Sequence, residues 1–266
     1  MADTPSSGNA LVLTSSQLTN VGGRQSNQDA LASARQDDLA CFVVSDGVGG
    51  QEGGEIASNI VVKAVLDRFQ QEATFSPRAL QAYIDFAVIK LVRRQSEEPR
   101  LKDMSATVAA LLIDRKNRSV LWAHMGDTRV YHFRGGKVHR VTKDHSLVQQ
   151  CVDAGHCQPE QLRTHPQRSI LCAAVGVAGD GIAEVTQLPE PVQAGDSFLI
   201  CTDGFWEWID ESEMESAAAA ADSAKAWLTG MHAIVEKNGG ASKTPRDDCT
   251  AFTIYLSTDS STATLT

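Results

Sequence analysis

Two segments of this chain end alike. Phe42-Val43-Val44-Ser45 leads into Asp46-Gly47, and Phe198-Leu199-Ile200-Cys201-Thr202 leads into Asp203-Gly204. Each is a short apolar run of the strand type that delivers a carboxylate and then a glycine. An Asp at the end of a rigid buried strand is held in place, and the Gly lets backbone or ligand approach closely. Asp29, Asp127 (after Gly126) and Asp247 also stand at strand ends or in turns. Any one of the five is an ordinary turn former by itself. Gathered at one end of a sheet, they would repel one another unless a cation neutralised them. Donors that are all oxygen select hard ions such as Mg²⁺ or Mn²⁺.

The elements that must position these acids are legible as period-2 and period-3.6 runs. Strands are expected over 11–18, 31–34 and 40–45. A helix follows over 52–70, where Ala57, Val61, Val65 and Phe69 mark one apolar face. Ser76-Pro77 opens a second helix as N-cap and first-turn proline. A β-meander then covers 105–141, with Gly135-Gly136 as a two-residue hairpin turn. Residues 146–154 and 159–163 read as short helices. Strands return at 182–188 and 197–201, helices at 211–220 and 223–237, and a last strand at 249–256 turns Phe252, Ile254 and Leu256 inward. Strands thus come in runs broken by two helical pairs. That is an α+β pattern with a mostly antiparallel sheet, unlike the regular alternation of a parallel βαβ fold.

Bulk properties narrow the class. With 266 residues, 42% of them apolar, and a net charge of -9, the chain suits a soluble acidic enzyme and argues against binding nucleic acid or a membrane surface. No membrane-length apolar run or secretory leader is read, so the expected location is cytoplasmic. The six cysteines form no CxxC pair and read as reduced apolar residues. Cys151, His156 and Cys157 are a weak zinc alternative that lacks a fourth ligand. The glycines at 47, 49, 50, 53 and 54 lack the Gly-Lys-Ser/Thr of a nucleotide loop.

Eight short motifs run in order over residues 11–256. They are Arg24-Gln25-Ser26-Asn27-Gln28-Asp29, Val44-Ser45-Asp46-Gly47-Val48-Gly49-Gly50 with Gly54-Glu55-Ile56-Ala57-Ser58, and Ser105-Ala106-Thr107. Gly126-Asp127-Thr128-Arg129-Val130-Tyr131, Lys143-Asp144-His145-Ser146 and Thr164-His165-Pro166 follow, then Cys201-Thr202-Asp203-Gly204 and Asp247-Asp248-Cys249-Thr250. Together they resemble the motifs of the PPM (type 2C) metal-dependent serine/threonine protein phosphatases, in their bacterial form. The resemblance implies a four-layer α-β-β-α sandwich, with residues 10–257 as one catalytic domain and flexible ends at 1–9 and 258–266. It implies two Mn²⁺ or Mg²⁺ ions: Asp46 bridges them, Asp203 and Asp247 hold the first, and the Gly47 carbonyl holds the second. Asp29 supports the cluster from its outer shell, Asp127 joins Asp203 at a third metal, and Arg24 binds phosphate. Two divalent ions roughly 4 Å apart would lower the pKa of a shared water, and the hydroxide would attack phosphorus in line.

The implied substrates are phosphoserine and phosphothreonine proteins, among them a cognate Hanks-type kinase and its targets, in some relatives within type VI secretion. A monomer is expected. A non-catalytic phosphatase-like domain and a hydrolase of small phosphate esters are the alternatives. Three departures from the family pattern stand out. Val48 occupies a position where many relatives carry a proton-donating His. Gln28 stands where Glu is frequent. Asp248, in place of Asn, rivals Asp247 as ligand. Residues 147–176 match a variable flap, whose His156, Arg163, His165 and Arg168 read equally as substrate contacts or as turn and solvated residues. His145 reads as structural, and Trp206 and Trp208 as core.

Overall fold

A computed structural model describes residues 10–48, 51–177, 182–240 and 246–258. The first sheet-forming elements are β1 (Val12–Asn20), β2 (Asp29–Gln36) and β3 (Leu39–Val48), followed by helices α1 (Gln51–Gln71) and α2 (Pro77–Glu97). The meander supplies β4 (Ser105–Ala106), β5 (Val108–Asp114), β6 (Ser119–Met125), β7 (Arg129–Arg134) and β8 (Lys137–Val141). After α3 (Leu147–Asp153) come β9 (Glu184–Val185), β10 (Glu190–Pro191), β11 (Ser197–Cys201), α4 (Asp203–Trp206), α5 (Glu211–Ala220), α6 (Ala224–Gly240) and β12 (Cys249–Ser257).

Every strand pairing is antiparallel. One sheet has the order β1-β12-β11-β7-β8, the other β10-β6-β5-β3-β2, with β4 beside β3 and β9 beside β6. The central strands are apolar on both faces because both faces are covered. Phe42 and Val44 of β3, Leu111 of β5, Phe198 and Ile200 of β11 and Phe252 and Ile254 of β12 fill the layer between the sheets. Cys41 and Val43 point the other way, onto α1 and α2. Leu199 and Cys201 likewise pack on Trp227 and Met231 of α6. The result is the expected α-β-β-α sandwich.

Local signals behave as read. Ser76 caps α2 by accepting the Ala79 amide at 3.1 Å. Gly135 and Gly136 both take positive φ, +59° and +74°, as a primed hairpin turn requires. The strand expected over 182–188 is broken instead. Only Glu184 and Val185 pair with β6, and the ladder resumes as β10. Between them the Thr186 hydroxyl takes the Trp122 amide at 3.4 Å in place of a backbone carbonyl, and Pro189 has no N–H to donate. Ile182 and Leu188 accordingly stand exposed. The expectations for Gly49, Gly50, residues 1–9 and residues 259–266 lie outside the described residues; Thr258 is exposed and irregular.

Phe252 meets Phe42 edge-to-face between the sheets, ring centres 5.3 Å apart. Phe252→Ala should cost about 3–5 kcal/mol in a urea unfolding titration, without change in the slope of the transition. A loss under about 1 kcal/mol would mean the inter-sheet layer is not the main core.

Candidate functional site

The register of β2 and β3 places Asp29 directly opposite Asp46. Two like charges paired across strands are destabilising, and more carboxylates surround this pair. A cavity of ≈ 590 Å³ at this end of the sandwich is lined by Arg24, Asp46, Gly47, Asp127, Asp203 and Asp247, together with Gln28, Val48, Ser169 and Leu171. Six of the seven residues singled out in the sequence therefore share one wall. Asp29 lies off the wall, behind Asp46, where it accepts the Thr202 hydroxyl at 2.9 Å.

Each acid is positioned by backbone geometry. Thr107 clamps the end of β3: its amide donates to the Asp46 carbonyl at 2.8 Å, and its hydroxyl accepts the Asp46 amide at 2.9 Å. Asp203 begins α4 directly after β11. The glycines that follow the two acids are required by space. A Cβ on Gly47 would lie 2.1 Å from the Gly54 carbonyl oxygen, and one on Gly204 would lie 2.1 Å from that of Asp248. Asp127 is held from behind. The Trp206 indole donates to its carbonyl at 2.9 Å. The Arg129 guanidinium sits 3.5 Å from the centre of the Trp206 ring and forms a buried two-pronged ion pair with Asp144, both contacts 2.7 Å. This ties the Gly126–Tyr131 and Lys143–Ser146 motifs together. Trp206 is buried, as expected; Trp208 packs partly buried in the same cluster.

Asp247 and Asp248 differ in their partners. Asp248 is buried, and its two oxygens accept the amides of Gly22 at 3.1 Å and Gln28 at 2.8 Å. It thereby fixes the loop that carries Arg24. Asp247 faces the cavity and pairs with Arg24 at 2.7 Å. This anchoring by Asp248 is a role the sequence reading missed; its only signal was a second acid beside a candidate ligand.

The flap is tied down. Arg163 donates to the Trp206 carbonyl and to Glu211, the latter at 2.8 Å, and Arg168 pairs with Glu207. His165 serves a turn, its ring nitrogen accepting the Gln167 amide at 3.1 Å. His156 is exposed, and among the described residues it joins no metal-ligand group with Cys151 and Cys157.

The donors fit hard divalent ions. One oxygen each of Asp29 and Asp203 is buried without a hydrogen-bond partner. Burial first, and then the neighbouring acids, push Asp46 and Asp203 well above the usual carboxylate range. Burial also pushes Asp29 and Asp127 up to about 7. Buried like charges of this kind are stable together only when protonated or when bound to cations. The carboxylates ring the cavity without converging on a single point: no three of these aspartates bring ligand atoms within 4.8 Å of one another.

A family model described as Protein phosphatase 2C matches residues 19–246. The chain belongs to the protein phosphatase 2C family. It is a protein phosphatase. It is 29% identical over 185 residues to the serine/threonine phosphatase stp of Listeria monocytogenes, a match covering 68% of this chain and 72% of that one. The solved Mycobacterium tuberculosis phosphatase PstP superposes with a TM-score of 0.79 at 26% identity, covering 93% of this chain and all of that one. Its catalytic domain has also been solved with two manganese ions (TM-score 0.78, 24% identity, 93% and 99% covered). PppA, a regulatory component of type VI secretion in Pseudomonas aeruginosa, superposes with a TM-score of 0.74 at 25% identity, covering 93% and 100%. Among the described residues no helix is long and apolar enough to cross a membrane.

The raised carboxylates predict how metal and pH interact. Asp29 and Asp127 go from 3.8 unfolded to about 7 folded. Their contribution to the metal-free fold is full below the lower value and is lost as the pH rises through the higher one. Mn²⁺ should therefore raise Tm more at about pH 7.5 than at about pH 5.5, read by differential scanning fluorimetry after chelator treatment. Equal shifts at both pH values would contradict the cluster's assignment as the cation site.

Proposed function

We propose that the protein hydrolyses phosphoserine and phosphothreonine in proteins, using two Mn²⁺ or Mg²⁺ ions. Asp46 would bridge them, with Asp203 and Asp247 on the first, the Gly47 carbonyl on the second, and Asp127 with Asp203 available to a third. When bound, the ions supply an activated water as nucleophile and offset charge on the phosphate. Residues 10–257 would act as one catalytic unit.

The observation that carries this reading is Arg24, half-exposed on the wall of the carboxylate cavity and paired there with Asp247. A planar guanidinium beside a cation site is matched to a bidentate phosphate. With Asp247 engaged in holding an ion, the Arg24 guanidinium would be available to phosphate oxygens. Asp248 keeps it in register through the Gly22 and Gln28 amides. Val48 also lines the cavity and carries no proton. The described lining residues include no histidine to protonate the leaving alkoxide. Asp29, off the cavity wall, supports the Asp46 end of the cluster.

Phosphoproteins made by a cognate Ser/Thr kinase are the proposed substrates, met in the cytoplasm by a monomer. All five acids are present, which favours an active enzyme over a phosphatase-like binding domain.

Phosphate release from a phosphothreonine peptide should require Mn²⁺ or Mg²⁺ and stop with chelator. Asp203→Asn should lower kcat by about 100-fold or more. Arg24→Ala should raise KM for the peptide by about 10-fold, with partial recovery in Arg24→Lys. Metal-independent release, or full activity in Asp203→Asn, would refute the proposal; turnover of small esters alone would move it to that substrate class.

A further inference from the structure

His124 of β6 stands directly across from Glu184 of β9. Cross-strand partners share a face of the sheet. The His145 ring stacks on His124, centres 4.6 Å apart, and its Nε2 lies 3.8 Å from a Glu184 oxygen. One donor atom from each of the three lies within 4.8 Å of the others, the one such group among the described residues.

The tautomer of His124 points to a ligand. Its Nε2 lies 2.7 Å from the Lys143 carbonyl, which can only accept, so Nε2 carries the proton. Nδ1 is then an open lone pair. It is buried and has no hydrogen-bond partner, on a side chain 1% exposed. A histidine that donates one ring N–H to a backbone carbonyl and leaves the other nitrogen bare has the arrangement found at metal ligands. Burial holds this imidazole below its ordinary range, which keeps it neutral and ligand-competent.

We propose that His124 Nδ1, His145 Nε2 and Glu184 form a separate site for a borderline divalent cation, Zn²⁺ by its donor chemistry. Two imidazoles and a carboxylate, with water in the fourth position, suit Zn²⁺, whereas Mg²⁺ and Mn²⁺ prefer all-oxygen donors. Tetrahedral Zn²⁺ sets its donors about 3.4 Å apart. The exposed Glu184 carboxylate can close that gap, while His124 stays fixed by β6 and Lys143. At His145 the Gly126 amide lies 3.4 Å from Nδ1, the outer limit of a hydrogen bond. As Nε2 takes the ion, its proton moves to Nδ1 and this contact is given up, with no net proton released. His145 and Glu184 flank residues 146–183, so the ion would clasp both ends of the flap-bearing segment to β6.

The test is zinc titration of the full chain by calorimetry, in about 5 mM Mg²⁺ to hold the aspartate centre. One Zn²⁺ should bind at about micromolar Kd or tighter, about 10-fold or more weaker in Glu184→Gln, and unchanged in Asp203→Asn. Long-range ¹H–¹⁵N spectra should show the His124 Nδ1 resonance moving on zinc addition, a reading independent of the variants' folding. Zinc uptake that Glu184→Gln leaves intact, uptake lost in Asp203→Asn, an unmoved Nδ1 resonance, or no uptake would each overturn the proposal.

Discussion

The fold is organised around a repulsion. At one end of the sandwich, strand register and strand ends bring Asp29, Asp46, Asp127, Asp203 and Asp247 to the same region, and four of them are nearly buried. Nothing in the apolar core explains such crowding. Charges that cost free energy to bury are tolerated where a cation repays them. The interlocking sheets keep the acids from drifting apart: Thr107 clamps Asp46, and the β11–α4 junction fixes Asp203. The same rigidity that opposes relaxation of the carboxylates is what pre-forms a metal site.

Much of this was legible in the sequence. The doubly buried strands announce themselves as unbroken apolar runs, and the helix faces by their spacing. The strand–Asp–Gly segments mark the two acids at strand ends. Elements that depend on exchange between side chain and backbone were not legible. The break between β9 and β10 arises because a Thr186 hydroxyl replaces a ladder carbonyl, which no periodicity reveals. The strand around Asp29 is longer than its apolar stretch because the Asp29 backbone itself pairs opposite Asp46 in the ladder.

At the site, residue types were legible and partnerships were not. Asp247 and Asp248 differ only in what their neighbours offer: the Gly22 and Gln28 amides claim one, and the cavity receives the other. The flap arginines look alike in sequence to solvated charges, but Arg163 is bonded to Trp206 and Glu211, and Arg168 to Glu207. His124, His145 and Glu184 are spread over sixty residues and meet only because β9 pairs with β6. The weak zinc alternative at Cys151 and Cys157 shows the opposite error, where closeness in sequence suggests a cluster that the fold does not make.

The burial of β3 on both faces has a kinetic consequence. Its amides are bonded to β2 on one side and β5 on the other, with helices over one face and the second sheet over the other. Such a strand opens to solvent only with the whole sandwich. Deuterium should therefore enter its middle last, and Asp46 is carried on the end of the segment that is slowest to exchange.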